Sequence, residues 1–336
     1  MDGTGRDFTQ ICGCKGIRTC LLCEGERTTV KAPQGHAKRL VRYMYCNQCH
    51  KAWRHMEGSR CQTEEMDFPG VLVVEDFITP EEEADIVTVI EGTEWKVSQS
   101  GRKKQDFGPK VNFKKKKLKL GGFTGLPKFS APLLDRMKSH DLLKDFIPVE
   151  QCHLDYDPSR GSAIDPHFDD FWLWGERLVT VNLLADSVLT MSCEEKDEVE
   201  VTIQQTSNCE HSKKPVTKTS SLDSDILVPS DEDSSQPTAV VDLQDITSSL
   251  DVSCSSSRRY CDVEVAIPMP RRSLLVVHGN ARHKWMHAIH REDITSRRIA
   301  VTLRELSAEF GAEGVQSQAG KELIDVALSF NGSAIS

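Results

Sequence analysis

The feature that most restricts this chain is His167-x-Asp169, set in Ala163-Ile164-Asp165-Pro166-His167-Phe168-Asp169-Asp170. Residues two apart in an extended segment project to the same side. An imidazole and a carboxylate held that way make two corners of a metal site. Two corners are not enough, so a distant segment must fold back to supply the third. A completed 2-His-1-carboxylate triad leaves three positions of an iron(II) ion open for an oxidant and a co-substrate.

The third ligand is sought near the C-terminus, where His278, His283, His287 and His290 crowd together. A strand starting at Lys284 would turn Trp285 and His287 to one face and Met286 and Ala288 to the other. That parity favours His287, with His278 as the alternative. The next strand signal is Arg298 to Arg304: Arg298, Ala300, Thr302 and Arg304 share one face, and Ile299, Val301 and Leu303 the other. An inward-pointing pair of arginines suits a dicarboxylate, because guanidinium matches carboxylate bidentately. Arg297 lacks the parity with Arg304 that Arg298 has.

HxD, a distal His and R-x5-R in that order resemble the AlkB-type iron(II)/2-oxoglutarate dioxygenases. Ile-Asp-Pro-His, Trp-Leu-Trp-Gly-Glu-Arg-Leu and Arg-Glu-Leu-Ser-Ala-Glu-Phe are similar in wording too, and the likeness spans most of the chain outside one long insert. The resemblance implies a mainly β (α+β) double-stranded β-helix, or jelly-roll, supported by helices. It implies iron held by His167, Asp169 and His287, and 2-oxoglutarate contacted by Tyr156, Arg298 and Arg304. In the family pattern R-x-N-x-T-x-R, Ala300 stands where Asn is usual, and the upstream N-x-Y is here Leu154-Asp155-Tyr156. The implied reaction is oxidative N-demethylation, in which a hydroxylated N-methyl group loses formaldehyde. The implied substrate is monomethyl-lysine on actin, with actomyosin-associated partners, a role in cytokinesis, and a cytoplasmic and nuclear location that includes the midbody. N6-methyladenine in DNA is the alternative substrate of the same enzyme class.

Charge is unevenly distributed. Residues 193–257 carry 14 acidic side chains against four lysines, so this Ser/Thr-rich stretch accounts for the net charge of −9 and leaves the rest near neutral. Its composition predicts a disordered loop that folding does not need. Removing it also brings His167 and His287 within a plausible run of strands. No apolar stretch is long enough to span a membrane and the N-terminus lacks an apolar signal region, so a soluble, unsecreted protein with no membrane partner is expected. In such a chain, clustered cysteines suggest metal or reduced thiols. Cys12, Cys14, Cys20 and Cys23 fall within twelve residues. Four soft ligands that close suit zinc. An iron–sulfur cluster, or an unliganded tail, stays open.

Four regions are therefore expected: a Cys-rich segment over 1–62, two parts of a dioxygenase domain over 68–192 and 258–330, and the acidic insert between them. Thr79-Pro80-Glu81-Glu82 predicts a capping box opening a helix, and Ser130 is a candidate cap for a second. The basic run Lys114 to Lys117, with Lys103, Lys104, Lys110, Phe107 and Phe113 nearby, could follow phosphates, dock an acidic protein or simply face water. Asp165, Asp170, Trp172 and Trp174 around HxD suit a cationic guest instead. A non-catalytic adaptor would have no use for HxD together with the arginine pair.

Overall fold

The computed structural model describes residues 12–15, 18–24, 40–56, 62–205 and 253–335. Within it the Arg298–Leu306 strand lies between Pro148–Tyr156 and Trp174–Leu183, near the middle of a seven-stranded sheet. Its alternation serves two cores. Ile299, Val301 and Leu303 enter one that includes Ile86, Ile90, Leu133, Leu134 and Leu323 from the helices Pro80–Glu91, Ser130–Met137 and Ser317–Ala327. Ala300, on the opposite face, enters a second core with Tyr43, Leu189, Val201 and Val265 from a nine-stranded sheet. Each fully buried Val or Leu contributes roughly 1.5–3 kcal/mol. The two sheets thus pack face to face, with helices covering the outside of the smaller one, as the jelly-roll expectation requires. Among the described residues no helix is long and apolar enough to cross a membrane.

The nine-stranded sheet runs Ile164–His167, Met286–Ile289, Ser187–Ser192, Val263–Met269, Val41–Cys46, Lys51–His55, Gln62–Asp67, Glu198–Gln205, Ser253–Arg259. Four members of that list depart from the sequence reading. Residues 41–55, grouped with the Cys-rich segment, are central strands: Val41–Cys46 pairs in parallel with Val263–Met269. Their inward residues include Tyr43 and Tyr45, which an apolar periodicity search undercounts. Both are buried with their hydroxyls satisfied, Tyr43 donating to Glu64 Oε1 at 2.6 Å and Tyr45 to the Val71 carbonyl at 2.8 Å. The ends of the acidic insert are not loop either. Glu198–Gln205 and Ser253–Arg259 pair antiparallel, and the first of them also pairs with Gln62–Asp67. Val199 and Val201 point inward from it and are buried. Polar composition outweighed this short β-branched alternation. Residues 206–252 of the predicted loop lie outside the described residues.

Local capping follows the chemistry with one exception. Thr79 Oγ1 accepts from the Glu82 amide and Glu82 Oε2 accepts from the Thr79 amide, closing the capping box. Ser130 does not cap its helix; it lies inside the first turn. Its buried hydroxyl donates to Gln151 Oε1 at 2.5 Å, and Gln151 continues through His153 to Gln105. A buried hydroxyl with an acceptor in reach has no reason to stay at the helix end.

Candidate active site

Antiparallel pairing of Ile164–His167 with Met286–Ile289 sets His167 directly opposite His287. Directly paired residues on one face have Cβ atoms about 4.5–5.5 Å apart, and here the two rings lie 4.3 Å apart, centroid to centroid. Asp169 follows two residues after His167, in the turn leaving the strand, with Oδ1 3.9 Å from His167 Nε2. One donor atom from each of the three falls within 4.8 Å of the others. Among the described residues His278 joins no such group; it precedes the short helix Gly279–His283.

Electrostatics prepare the three side chains as ligands. His167 Nδ1 lies 2.8 Å from the Asp165 carbonyl, so a proton there leaves Nε2 with its lone pair toward Asp169 and His287. Burial holds His167 below its ordinary value. Burial, aided by His167, Arg304 and Arg282 and opposed by Asp169, brings His287 down to about 3. Both imidazoles are therefore neutral near pH 7. Burial alone would push the Asp169 carboxyl up, but the Arg304 guanidinium and the two imidazoles outweigh it and keep the group well below the usual carboxylate range. Two neutral imidazoles and one anion form the donor set that iron(II) takes.

All six residues singled out from the sequence line one chamber between the sheets: His167, Asp169 and His287 with Tyr156, Arg298 and Arg304. Arg298 is 2% exposed. It stacks over the Tyr156 ring at 4.9 Å, and its Nε donates to Asn182 Oδ1 at 2.9 Å. Among the described residues no carboxylate pairs with it. A buried guanidinium without a counter-charge is costly, and a carboxylate entering the chamber would supply one. 2-Oxoglutarate fits that requirement.

The two arginines of the pair do not meet at one point. Six residues of strand span about 20 Å, so Arg298 and Arg304 serve different places. Arg304 grips Asp169 bidentately, Nε to Oδ2 at 2.8 Å and Nη2 to Oδ1 at 3.4 Å, and donates from Nη1 to Glu150 Oε2 at 2.5 Å. It positions a ligand while still lining the chamber, and Arg298 has no carboxylate partner among the described residues. Arg297 faces outward to Asp155 and Glu91, as its parity predicted.

Asn182 escaped the sequence reading. It sits directly across from Ala300 in the sheet, and its Nδ2 is fixed by the carbonyls of Ala185, Met269 and Pro270. The amide that orients Arg298 therefore comes from the neighbouring strand. Its signal was parity with Leu178 and Thr180 in the same strand, which also line the chamber. Phe168 and Phe171 escaped as well: both are large and exposed, with rings 5.3 Å apart.

Replacing Arg298 with methionine is expected to raise the KM for 2-oxoglutarate by about 100-fold, since a charge-assisted carboxylate contact contributes up to about 3 kcal/mol. Succinate formation against 2-oxoglutarate concentration measures it, and an unchanged KM would remove Arg298 from the co-substrate site.

Dependence on iron(II) and 2-oxoglutarate is what this chamber is built for, which places the chain in the class of 2-oxoglutarate oxygenases. Sequence comparison narrows that class. No family model matches the chain. It is 47% identical over 328 residues to human alpha-ketoglutarate-dependent dioxygenase alkB homolog 4, covering 96% of this chain and 94% of the relative. The mouse protein of the same name is 46% identical over 324 residues, covering 96% of each. A Caenorhabditis elegans DNA N6-methyl adenine demethylase is 30% identical over 343 residues, covering 94% of each. A solved structure of OsALKBH1 is also similar, with a TM-score of 0.41, 10% identity, and coverage of 70% of this chain and 96% of that one. The chain belongs to the AlkB family of 2-oxoglutarate (alpha-ketoglutarate)-dependent dioxygenases.

Proposed function

We propose that the chain removes the methyl group from monomethyl-lysine on a protein, and that the protein is actin. Bound iron(II), with 2-oxoglutarate and dioxygen, supplies the oxidant for a C–H bond. The chain's own residues do the rest. Arg298 anchors the far carboxylate of the co-substrate, Arg304 holds Asp169 in place, and the apolar walls Leu178, Leu275 and Ile289 exclude water from the chamber.

The observation that carries the choice of substrate is Asp170. It lines the cleft outside Asp169 together with Phe168 and Trp174; it accepts from the Trp172 amide at 3.3 Å, and among the described residues no side-chain nitrogen forms a close ion pair with it. The cleft's other acids are engaged: Asp106 with Lys104, Asp169 and Glu150 with Arg304. A carboxylate beside aromatic rings suits an ammonium group. Two residues expected there lie elsewhere. Trp172 packs on Phe310, and the exposed Asp165 meets Arg18. Actomyosin-associated partners, a role in cytokinesis, and a cytoplasmic and nuclear location including the midbody belong to the same proposal.

A second reading, demethylation of N6-methyladenine in DNA, has its own support. The Caenorhabditis elegans relative is named for that activity, and Phe113 is exposed beside Lys114 and Lys115, at the rim of the same cleft. Formaldehyde release from methylated actin and from methyladenine-containing DNA, at equal enzyme and iron loading, separates the two. Faster release from actin, weakened by Asp170→Asn, is expected. Turnover of DNA alone would overturn the lysine reading.

A further inference from the structure

Cys12, Cys14, Cys20 and Cys23 are buried against one another and form a cluster apart from both apolar cores. Cys20 has no exposure at all. Their four sulfurs lie within 4.8 Å of one another, and Cys20 Sγ stands 3.8 Å from Cys23 Sγ. A disulfide needs about 2.05 Å. Four thiolates around one zinc, each at about 2.3 Å, stand about 3.8 Å apart along the edges of a tetrahedron. The thiolates of a two- or four-iron cluster are divided among its irons, so the four together spread wider. The local chain is shaped to the same end. Leu21–Glu24 makes one helical turn that brings Cys23 back to Cys20, and the Cys20 amide points at Cys23 Sγ from 3.4 Å.

The cluster is wedged against the 98–101 loop, which holds the segment that leads to the catalytic strand. Gly13 donates its amide to the Ser98 carbonyl at 3.2 Å, and a Cβ on Gly13 would stand 2.8 Å from the Ser98 carbonyl carbon. On the other side of the contact Gly101, at φ +73°, has room for no side chain: a Cβ would lie 2.5 Å from the Arg160 carbonyl and 3.2 Å from Cys20 Cβ. The loop so held then holds the next one. The Gly101 carbonyl accepts from Arg160 Nε and from Ser162 Oγ, both at 2.7 Å, and the Ser100 carbonyl accepts from the Ala163 amide at 3.0 Å. Ala163 immediately precedes the Ile164–His167 strand. No charge-pair strength is needed, since the exposed Arg18–Asp165 and Arg291–Glu24 pairs add little.

We propose that the four cysteines bind one zinc ion, and that this site fixes the approach of the strand carrying His167 and Asp169, so that iron affinity depends on zinc occupancy. The zinc arm stands on the thiol geometry alone; the coupling arm rests on the iron assignment above.

The test uses the full chain. Elemental analysis after iron is stripped by a mild oxygen-donor chelator should leave one zinc per chain, with no acid-labile sulfide. Cobalt(II) exchanged into the thiol site should show thiolate charge-transfer absorption. Cys20→Ser should lose both the zinc and that absorption, and should weaken iron(II) binding, measured with 2-oxoglutarate present, by about 10-fold or more, the range expected when outer contacts of a metal site are lost. Asp169→Ala should keep its zinc, which separates failure of the iron assignment from failure of the thiol site. Wild-type protein without zinc, or with acid-labile sulfide, overturns the zinc site whatever the variants do. Zinc lost in Cys20→Ser, or removed from wild type by a thiol-competing chelator, with iron affinity unchanged overturns the coupling.

Discussion

Asp169→Ala is expected to reduce succinate formation at least about 1000-fold, a loss of the size seen when a central member of a catalytic set is removed. Asp169 has two duties in the structure. It offers the single anionic donor among the three converging ligands, and it receives two hydrogen bonds from Arg304. Alanine abolishes both and leaves Arg304 with Glu150 alone. Asp169→Asn separates the duties, because an amide keeps the volume and can still accept from Arg304 but carries no charge. Both variants should lack activity if the charge matters to the metal, while circular dichroism stays that of the parent. Near-parental succinate formation by the alanine variant would sink the triad. Acid should not mimic the mutation by protonating this group, since its carboxyl is held well below the usual range.

Much of this site was legible because strand parity is a local property. Arg298 against Arg297, and the split of Arg298–Leu306 into a polar and an apolar face, follow from a period of two, while Asp169 meets His167 from just beyond the end of its strand. His287 followed from parity together with its place in a recognisable order of motifs. What parity cannot say is how far apart two residues on one face act. Arg298 and Arg304 share a face, yet one reaches Asn182 and the other the metal ligand Asp169. Asn182 was hidden for another reason. It lies outside the R-x5-R segment and meets Arg298 only through sheet register, which a single strand does not encode. The first strands of the large sheet were hidden by their chemistry. Tyr43 and Tyr45 bury rings while keeping polar tips, so the segment looks hydrophilic by composition and is a core strand by packing.

The acidic insert gives the other large effect, and its sign is opposite to what composition suggests. Replacing residues 194–256 with a short Gly/Ser linker removes Glu198–Gln205 and the first four residues of Ser253–Arg259, and leaves Ser257, Arg258 and Arg259 without the strand they pair with. Val199 and Val201 leave the inter-sheet core, a loss of roughly 3–6 kcal/mol. Glu64, 0% exposed, also loses the strand pairing that places Arg258 against it, and Arg258 is one of the two arginines that, with Tyr43, overcome burial and hold its carboxyl down at about 2. Breaking a buried pair costs roughly 3–5 kcal/mol, although Arg54 still reaches Glu64. The sum is comparable to the whole stability of an ordinary domain, and the Gln62–Asp67 strand becomes an open edge. Insoluble protein, or a thermal midpoint lower by more than about 10 °C, is the expected outcome. An excision confined to 206–252 is the control. Gln204 and Ser253 are already paired, so a short hairpin turn can join the strands and keep both valines and Arg258 in place. The gap between the two midpoints measures what the hairpin contributes, and equal midpoints would show that it contributes nothing to the core.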